Sequence, residues 1–219
     1  NRTAQRIGLK DTNFLNASGY FEGPAPNHYS TARDLARLAA ALIRDHPEPH
    51  ALHAMKEYTY NGIRQHNRNR LLWARPDGSQ SFYDKRHLFR MAGEHKHYSA
   101  GEQQVLLEVK GWQVRPLICY DLRFPVWSRD AAGTDLLLYT ANWPAARRQH
   151  WNRLLPARAI ENLCYVAAVN RIGEDGKGFA YSGDSQVLDF QGDSLLSAGA
   201  EPGVFRVTLS SAELTAYRE

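Results

Sequence analysis

Residues 114–125 read Val114-Arg115-Pro116-Leu117-Ile118-Cys119-Tyr120-Asp121-Leu122-Arg123-Phe124-Pro125, an apolar strand that runs into a polar turn at a cysteine. A cysteine at such a junction can present its sulfur to a cleft, where exposed backbone N–H groups lower the thiol pKa and hold an oxyanion. A free thiol with a pKa of about 8.5 is only a few per cent thiolate at neutral pH, so it needs this help. The stretch itself leaves two interpretations open: Cys119 is a nucleophile, or it is a cysteine buried in the core.

Strands alternate with helices and loops from about Leu71 onward, which predicts an α/β fold. The apolar runs predict strands at residues 71–74, 105–109, 114–119, 136–140, 163–169, 186–189, 195–196 and 204–209. A helix is predicted over residues 150–162, and Ser210 with Glu213 forms a capping box that starts another. Cys164 lies inside one of the predicted strands, and we expect it to be structural.

The first third of the chain has a different texture. Arg2–Leu9 is typical of a helix end, and residues 19–27 form a loop rich in Gly and Pro. Ser30 is the expected N-cap of a helix whose apolar stripe recurs at helical spacing, and Pro47 and Pro49 end that helix. The stripe comprises Leu35, Leu38, Ala39, Leu42 and Ile43. Tyr58-Thr59-Tyr60 followed by Asn61-Gly62 predicts a strand that enters a hairpin turn.

Bulk composition excludes several classes of protein. Of 219 residues, 43% are hydrophobic, enough for a sizeable core, yet the sequence contains no apolar run of about 18 residues that would predict a membrane span. The net charge of +4 lies in residues 1–73, with ten Lys/Arg and six Asp/Glu, and it forms no basic stripe of the kind that binds nucleic acid. Two cysteines make no disulfide framework and indicate a reducing, cytoplasmic compartment.

Two charged residues supply what a thiol nucleophile needs. Lys85 offers an ammonium for a developing oxyanion, and Glu94 offers a carboxylate that can accept or orient a proton. Each could equally be solvated surface. Tyr120 and Trp143 are candidates for lining a substrate pocket or for core packing. The histidines at positions 46, 50 and 53 could share a helical face, but the prolines between them argue against a metal site.

Four motifs occur in an order and at spacings that resemble the nitrilase-superfamily amidases, most closely the omega-amidase branch. They are Tyr83-Asp84-Lys85-Arg86-His87-Leu88-Phe89, Cys119-Tyr120-Asp121-Leu122-Arg123-Phe124-Pro125, Ala141-Asn142-Trp143-Pro144 and Ala157-Arg158-Ala159-Ile160-Glu161-Asn162. The resemblance covers residues 69–219, and it implies an α-β-β-α sandwich that pairs into homodimers and hydrolyses the terminal amide of a small dicarboxylic acid monoamide.

The same resemblance implies roles for particular residues. Cys119 would be the nucleophile, Lys85 the oxyanion-stabilising lysine and Glu94 the second active-site glutamate. Tyr120, Arg123 and Trp143 would contact the substrate. No cofactor is implied, since the thiol carries the chemistry. Arg158 and Glu161, three residues apart on the predicted helix, would form a structural ion pair.

The sequence departs from that family before residue 69. The family's general-base glutamate lies on a segment that we do not find, and Glu22, Glu48 and Glu57 have no context that recommends them. Residues 1–70 instead resemble a fragment of D-alanyl-D-alanine carboxypeptidases, without the Ser-x-x-Lys, Ser-x-Asn and Lys-Thr-Gly motifs. We therefore divide the chain at residues 1–70 and 71–219 and hypothesise a chimera joined at Asn69-Arg70-Leu71-Leu72-Trp73. The alternative to an amidase is a catalytically silent chimeric or truncated protein.

Overall fold

The computed structural model describes residues 1–15, 27–46, 57–60, 63–66, 69–75, 77–129 and 133–219. The chain divides into two compact units, residues 1–55 and 56–219. The predicted loop at residues 19–27 lies outside the described residues except for Asn27. The helix stop at Pro47 and Pro49 and the turn at Asn61-Gly62 lie outside them as well.

Among its described residues, the first unit has the helices α1 (Arg2–Arg6) and α2 (Ala32–Asp45) and a bridge between Asn13 and Tyr29. The predicted N-cap at Ser30 is wrong by one residue. Thr31 Oγ1 accepts the backbone N–H of Asp34 at 3.2 Å, whereas the Ser30 hydroxyl pairs with Thr12 Oγ1 at 2.8 Å. Adjacent hydroxyls compete for the cap, and the tertiary contact to Thr12 decides between them.

The second unit is a mixture of strands, short helices and one long helix. Its strands are β1 (Glu57–Tyr60), β2 (Ile63–His66), β3 (Arg70–Ala74), β4 (Gln80–Asp84), β5 (Leu107–Val109), β6 (Trp112–Ile118), β7 (Leu136–Ala141), β8 (Tyr165–Asn170), β9 (Ile172–Glu174), β10 (Ala180–Ser182), β11 (Gln186–Leu188) and β12 (Ser194–Ser197). Its α-helices are α3 (Glu94–His97), α4 (Pro125–Ser128), α5 (Arg148–Asn162) and α6 (Ser211–Arg218), and 3-10 turns span Arg90–Ala92, Cys119–Arg123 and Ala145–Arg147.

A six-stranded sheet in the order β12-β11-β8-β7-β6-β5 organises this unit. Strands β6, β7 and β8 run parallel, and the outer pairings are antiparallel. The carboxyl ends of parallel strands meet at one edge of a sheet. The residues that follow them, Cys119 after β6 and Asn142 after β7, therefore come to the same edge. The hairpins β1–β2, β3–β4 and β9–β10 form separate two-stranded sheets.

Helix α5 covers one face of this sheet. Its inward residues Trp151, Leu155 and Ala159 are at most 1% exposed and pack against strand residues such as Leu137 and Val166. Pro156 interrupts the backbone hydrogen bonds inside the helix. No helix in the described ranges is both long and apolar enough to cross a bilayer.

Several predicted elements need correction. Residues 204–209 form no strand; Val204 is 93% exposed, and their alternating pattern has no paired neighbour among the described residues. Strand β6 ends at Ile118, and Cys119 begins the turn that follows. Cys164 is fully buried just before β8. Strands β4, β9 and β10 were not predicted, because short strands between glycines and charged residues resemble loops in sequence.

Truncating Leu155 to alanine should destabilise the second unit by about 2–5 kcal/mol, because the substitution leaves a cavity in a fully buried site. All five tryptophans lie after residue 56, so urea unfolding followed by tryptophan fluorescence reports on this unit. Ile160→Ala is the matched control, since that side chain lies on the same helix and is 51% exposed. Equal losses in the two variants would contradict the described orientation of α5.

Candidate active site

Cys119 has a backbone conformation that few residues adopt. Its φ of 45° lies in the left-handed region, at the point where strand β6 ends and the 3-10 turn Cys119–Arg123 begins. Non-glycine residues in this region cost free energy and persist where surrounding structure holds them. The turn breaks the strand here and carries the sulfur away from the sheet.

Asp121 holds the turn in place. Its buried carboxylate accepts four hydrogen bonds: from the backbone N–H of Ile118 (3.1 Å), from Tyr83 Oη (2.7 Å), and from the backbone N–H (2.8 Å) and Nδ1 (2.9 Å) of His87. A carboxylate without exposure requires such partners. These bonds connect the turn that begins at Cys119 to the segment around Lys85.

Aromatic side chains add further contacts between the turn that begins at Cys119 and the segment around Lys85. Burial, and then the Asp121 carboxylate, raise the pKa of the Tyr83 phenol, so the hydroxyl stays protonated and donates to Asp121. The same hydroxyl accepts a hydrogen bond from Trp127 Nε1 at 2.8 Å. The His87 ring stacks on Phe124 with 3.7 Å between centroids. Strand β4 and the residues just after it are therefore held against the turn and against helix α4.

Lys85 follows β4 and is 1% exposed. Its Nζ donates to both oxygens of Glu94, at 2.9 and 2.7 Å, and Glu94 also accepts the backbone N–H of Phe89 at 2.8 Å. The Lys85 backbone is held by Asn69 on one side and by Gly101 on the other. Gly101 has no room for a side chain, because a Cβ would collide with the carbonyl oxygen of Asp84.

The structure brings Lys85 and Glu94 within electrostatic reach of the Cys119 thiol. Burial raises the pKa of that thiol, the Lys85 ammonium lowers it, and the Glu94 carboxylate raises it. The Sγ atom lies 3.9 Å from the carbonyl oxygen of Asn142, a weak contact that also lowers the pKa. The thiol is partly accessible, which contrasts with the fully buried Cys164.

A cleft opens over the thiol. Its lining comprises Phe89, Cys119, Tyr120, Arg123, Asn142, Trp143, Pro144 and Arg147. The structure thus brings together Tyr120, Arg123 and Trp143, the three residues predicted to contact substrate, in the wall next to Cys119. Trp143 lines the cleft and also packs into the core, where it is only 3% exposed. Its predicted contact with substrate stays a prediction.

The sequence alone does not single out four residues of the lining, Phe89, Asn142, Pro144 and Arg147. Phe89 and Asn142 stand inside the quoted motifs, next to residues that were chosen. Arg147 lies beyond any of them, and only its place at the start of a helix could have indicated a role.

Asn170 fixes the wall that contains Trp143. Its side chain accepts the backbone N–H of Trp143 at 2.7 Å and donates to the carbonyl oxygens of Trp143 (3.2 Å) and Gly183 (2.8 Å). Asn170 ends β8 and is 6% exposed, so the parallel sheet itself positions the cleft wall.

Arg158 and Glu161 form the predicted ion pair, with 3.0 Å between Nη1 and Oε1. The guanidinium also donates twice to the carbonyl oxygen of Leu122, at 3.0 and 2.7 Å. Arg158 therefore links helix α5 to the turn that begins at Cys119.

No group of three or more His, Cys, Asp or Glu side chains suits a metal ion in the part of the chain that the structure describes. His50 and His53 lie outside those residues. Of the glutamates considered as replacement bases, Glu22 and Glu48 lie outside as well, and Glu57 begins β1 with a side chain that is not described.

Known proteins similar to this chain carry amidase names. Omega-amidase YafV of Escherichia coli strain K12 is 55% identical over 152 residues, 69% of this chain and 59% of YafV. The 2-oxoglutaramate amidase of Bacillus subtilis strain 168 is 40% identical and covers 63% of this chain and 53% of its own length. The chain thus spans less than two thirds of the curated relatives that it matches.

Solved structures agree with these relatives. A CN-hydrolase superfamily protein of Xanthomonas campestris, with an arsenic adduct in its active site, is 47% identical, with a TM-score of 0.68 over 74% of this chain and 63% of that one. A mutant amidase of Nesterenkonia sp. AN1, with acrylamide added at its active-site cysteine, is 32% identical, with a TM-score of 0.59 over 68% of this chain and 63% of that one.

A different relative shares 74 residues with this chain. D-alanyl-D-alanine carboxypeptidase DacC of Escherichia coli strain K12 is 51% identical over that stretch, which is 34% of this chain and 18% of DacC. Residues 17–219 match the family described as Carbon-nitrogen hydrolase. This chain belongs to the carbon-nitrogen hydrolase family.

Proposed function

We propose that this protein hydrolyses the terminal amide of a small dicarboxylic acid monoamide, through a thioester on Cys119. The observation that carries the proposal is the placement of a partly accessible thiol at the carboxyl end of a parallel strand, within reach of the buried Lys85 ammonium. The amidase names of the relatives, and the active-site cysteine of the Nesterenkonia enzyme, support the same chemistry.

The proposed reaction begins with loss of the thiol proton to a base. The Cys119 thiolate attacks the amide carbonyl carbon, and the oxyanion that forms is stabilised by the Lys85 ammonium. The carbon–nitrogen bond then breaks, the nitrogen takes the thiol's proton back from the base and leaves as ammonia, and a thioester remains on the sulfur. Water adds to the thioester, and its cleavage releases the carboxylic acid and returns the thiol.

Glu94 orients the lysine in this scheme. Both of its oxygens contact Lys85 Nζ, so the ammonium keeps one position before and after the oxyanion forms. The Glu94 carboxylate also raises the pKa of the Cys119 thiol through its charge, and we propose it as a candidate acceptor for the thiol proton. Tyr120, Arg123 and Trp143 are the proposed substrate contacts, because all three line the cleft.

The finer architecture belongs to the same proposal. Residues 71–219 would form part of an α-β-β-α sandwich that pairs into a cytoplasmic homodimer, and residues 1–70 a carboxypeptidase-like fragment without catalytic motifs. The competing function is a catalytically silent chain, in which no residue acts as the general base. Ammonia release distinguishes the two.

Replacing Cys119 with alanine should reduce ammonia release from succinamate or 2-oxoglutaramate to the uncatalysed background, because no nucleophile remains. Cys164→Ala is the matched control, and its rate should stay within about threefold of wild type, since the residue is buried outside the cleft. The measurement is a coupled ammonia assay, with thermal melts to show that both variants fold. A wild-type rate equal to that of Cys119→Ala would make the silent interpretation correct.

Lys85→Met should lower kcat by roughly 100- to 1,000-fold, as the loss of one oxyanion donor does in acyl-transfer enzymes. Lys96→Met, on the exposed surface of α3, should leave kcat unchanged. Steady-state kinetics with succinamate measure both. An equal, small effect of the two substitutions would remove Lys85 from the mechanism.

The rate of Cys119 alkylation should keep rising at pH values above about 8.5, the pKa of a free thiol. The reason is that burial raises the pKa of this thiol and the thiolate is the reactive form. Below the pKa, the iodoacetamide rate should rise about tenfold per pH unit. Lys85→Met should move the curve to higher pH, since the ammonium lowers this pKa. Intact-mass spectrometry follows the adduct, with Cys119→Ala as the blank, and a rate that is already constant at pH 7 would contradict the expectation.

A further inference from the structure

The charged side chains among the described residues that line the cleft over Cys119 all have the same sign. Two of the eight lining residues are charged, and both are arginines, Arg123 and Arg147. The remaining walls are largely aromatic and apolar, from Phe89, Tyr120, Trp143 and Pro144. A cleft of this kind favours a short ligand with an anionic end, because guanidinium groups pair with carboxylates and the apolar walls strengthen that pairing.

The two arginines differ in how much of their hydrogen-bonding capacity is used. Arg123 Nη2 lies 2.6 Å from Nδ1 of His150, and its guanidinium lies 5.2 Å from the centre of the Trp143 ring. Arg123 is therefore held against the wall by both neighbours.

Arg147 has no comparable polar partner. Its guanidinium lies 5.5 Å from the centre of the Phe89 ring, and its Nη2 lies 3.6 Å from the sulfur of Met91, a weak acceptor. No carboxylate pairs with Arg147 within the described ranges. A guanidinium has five donors, so nearly all of this one's capacity is open to a ligand.

The position of Arg147 in the chain adds to its suitability. It is the N-cap of α5, a helix of 15 residues, and it has no side-chain cap bond of its own. Unpaired backbone N–H groups and the helix dipole make such an end favourable for an anion. The backbone of Arg147 is itself fixed, because its carbonyl oxygen accepts Trp143 Nε1 at 2.8 Å.

From this arrangement we infer that Arg147 is a specificity-determining residue that binds the free carboxylate of the monoamide substrate while its amide lies at Cys119. The inference rests on the proposed function for the identity of the reacting end. It goes further because it names the residue that makes the enzyme prefer a charged monoamide over a neutral amide of equal length.

The kinetic test compares two substrates that differ only at the distal group. Succinamate has a carboxylate there, and succinamide, its neutral diamide, has a second amide. In Arg147→Gln, the ratio of kcat/KM for succinamate to that for succinamide should fall roughly 10- to 100-fold, the loss expected for hydrogen bonds to a charged group. Arg147→Lys should restore part of the ratio, because it keeps the charge without the planar fork.

Arg153→Gln is the matched control, since Arg153 lies on the same helix, is exposed and does not line the cleft. It should leave the ratio unchanged. An unchanged ratio in Arg147→Gln, or an equal fall in both arginine variants, would overturn the inference even if Cys119-dependent ammonia release is intact.

A binding test decides the inference without turnover. Calorimetric titration of Cys119→Ala with succinamate should give a Kd at least tenfold lower than with succinamide, and adding Arg147→Gln should abolish that preference. If the preference survives Arg147→Gln, or is absent from Cys119→Ala, the inference is wrong. Failure of the proposed function alone would instead appear as a preserved binding preference with no Cys119-dependent ammonia release.

Discussion

The buried carboxylate of Asp121 is the constraint on which the candidate site depends. It accepts hydrogen bonds from the residue before Cys119, from the strand before Lys85 and from the loop after Lys85. A charge at this depth is tolerated only with such partners, so each bond that satisfies it also fixes a part of the site. The Cys119 thiol and the Lys85 ammonium come from segments more than thirty residues apart, and the Asp121 side chain holds these two segments together.

A second layer of constraint comes from the sheet. Parallel pairing of β6, β7 and β8 brings the carboxyl ends of these three strands to one edge of the sheet. Asn170, at the end of β8, accepts the backbone N–H of Trp143 and so fixes the backbone there. Arg158 reaches the same turn from the helix side through Leu122. The cleft is therefore bounded by regular structure on two sides, which suits a site that must hold a substrate in one orientation.

Much of this arrangement could be predicted from sequence. The apolar run before Cys119 and the helix at residues 150–162 were visible because burial imposes a local pattern. The strand predicted at residues 204–209 shows where that signal fails, since alternation is local but pairing requires a neighbour from elsewhere in the chain. Strands of three residues, such as β9 and β10, carry too little pattern to stand out between glycines.

The site was predictable to the extent that its chemistry is local. Lys85 and Glu94 are nine residues apart, and the sequence predicts both as charge types that serve a thiol, but it does not predict the ion pair between them. The roles of Asp121 and Asn170 were not foreseen, because each bonds partners from distant segments that no spacing reveals. The sequence does not indicate a role for Arg147 either, because an arginine at the start of a helix is usually solvated. Only its place in the cleft lining distinguishes Arg147 from such residues.

The left-handed backbone at Cys119 limits which side chains could replace the proposed nucleophile. Serine matches cysteine in shape, so the backbone would accept it at a similar conformational cost. Threonine would not be accepted, because a β-branched side chain is strongly disfavoured at positive φ. At this backbone conformation the proposed attacking atom is therefore confined to a sulfur or a primary hydroxyl, and a secondary alcohol would require a different turn.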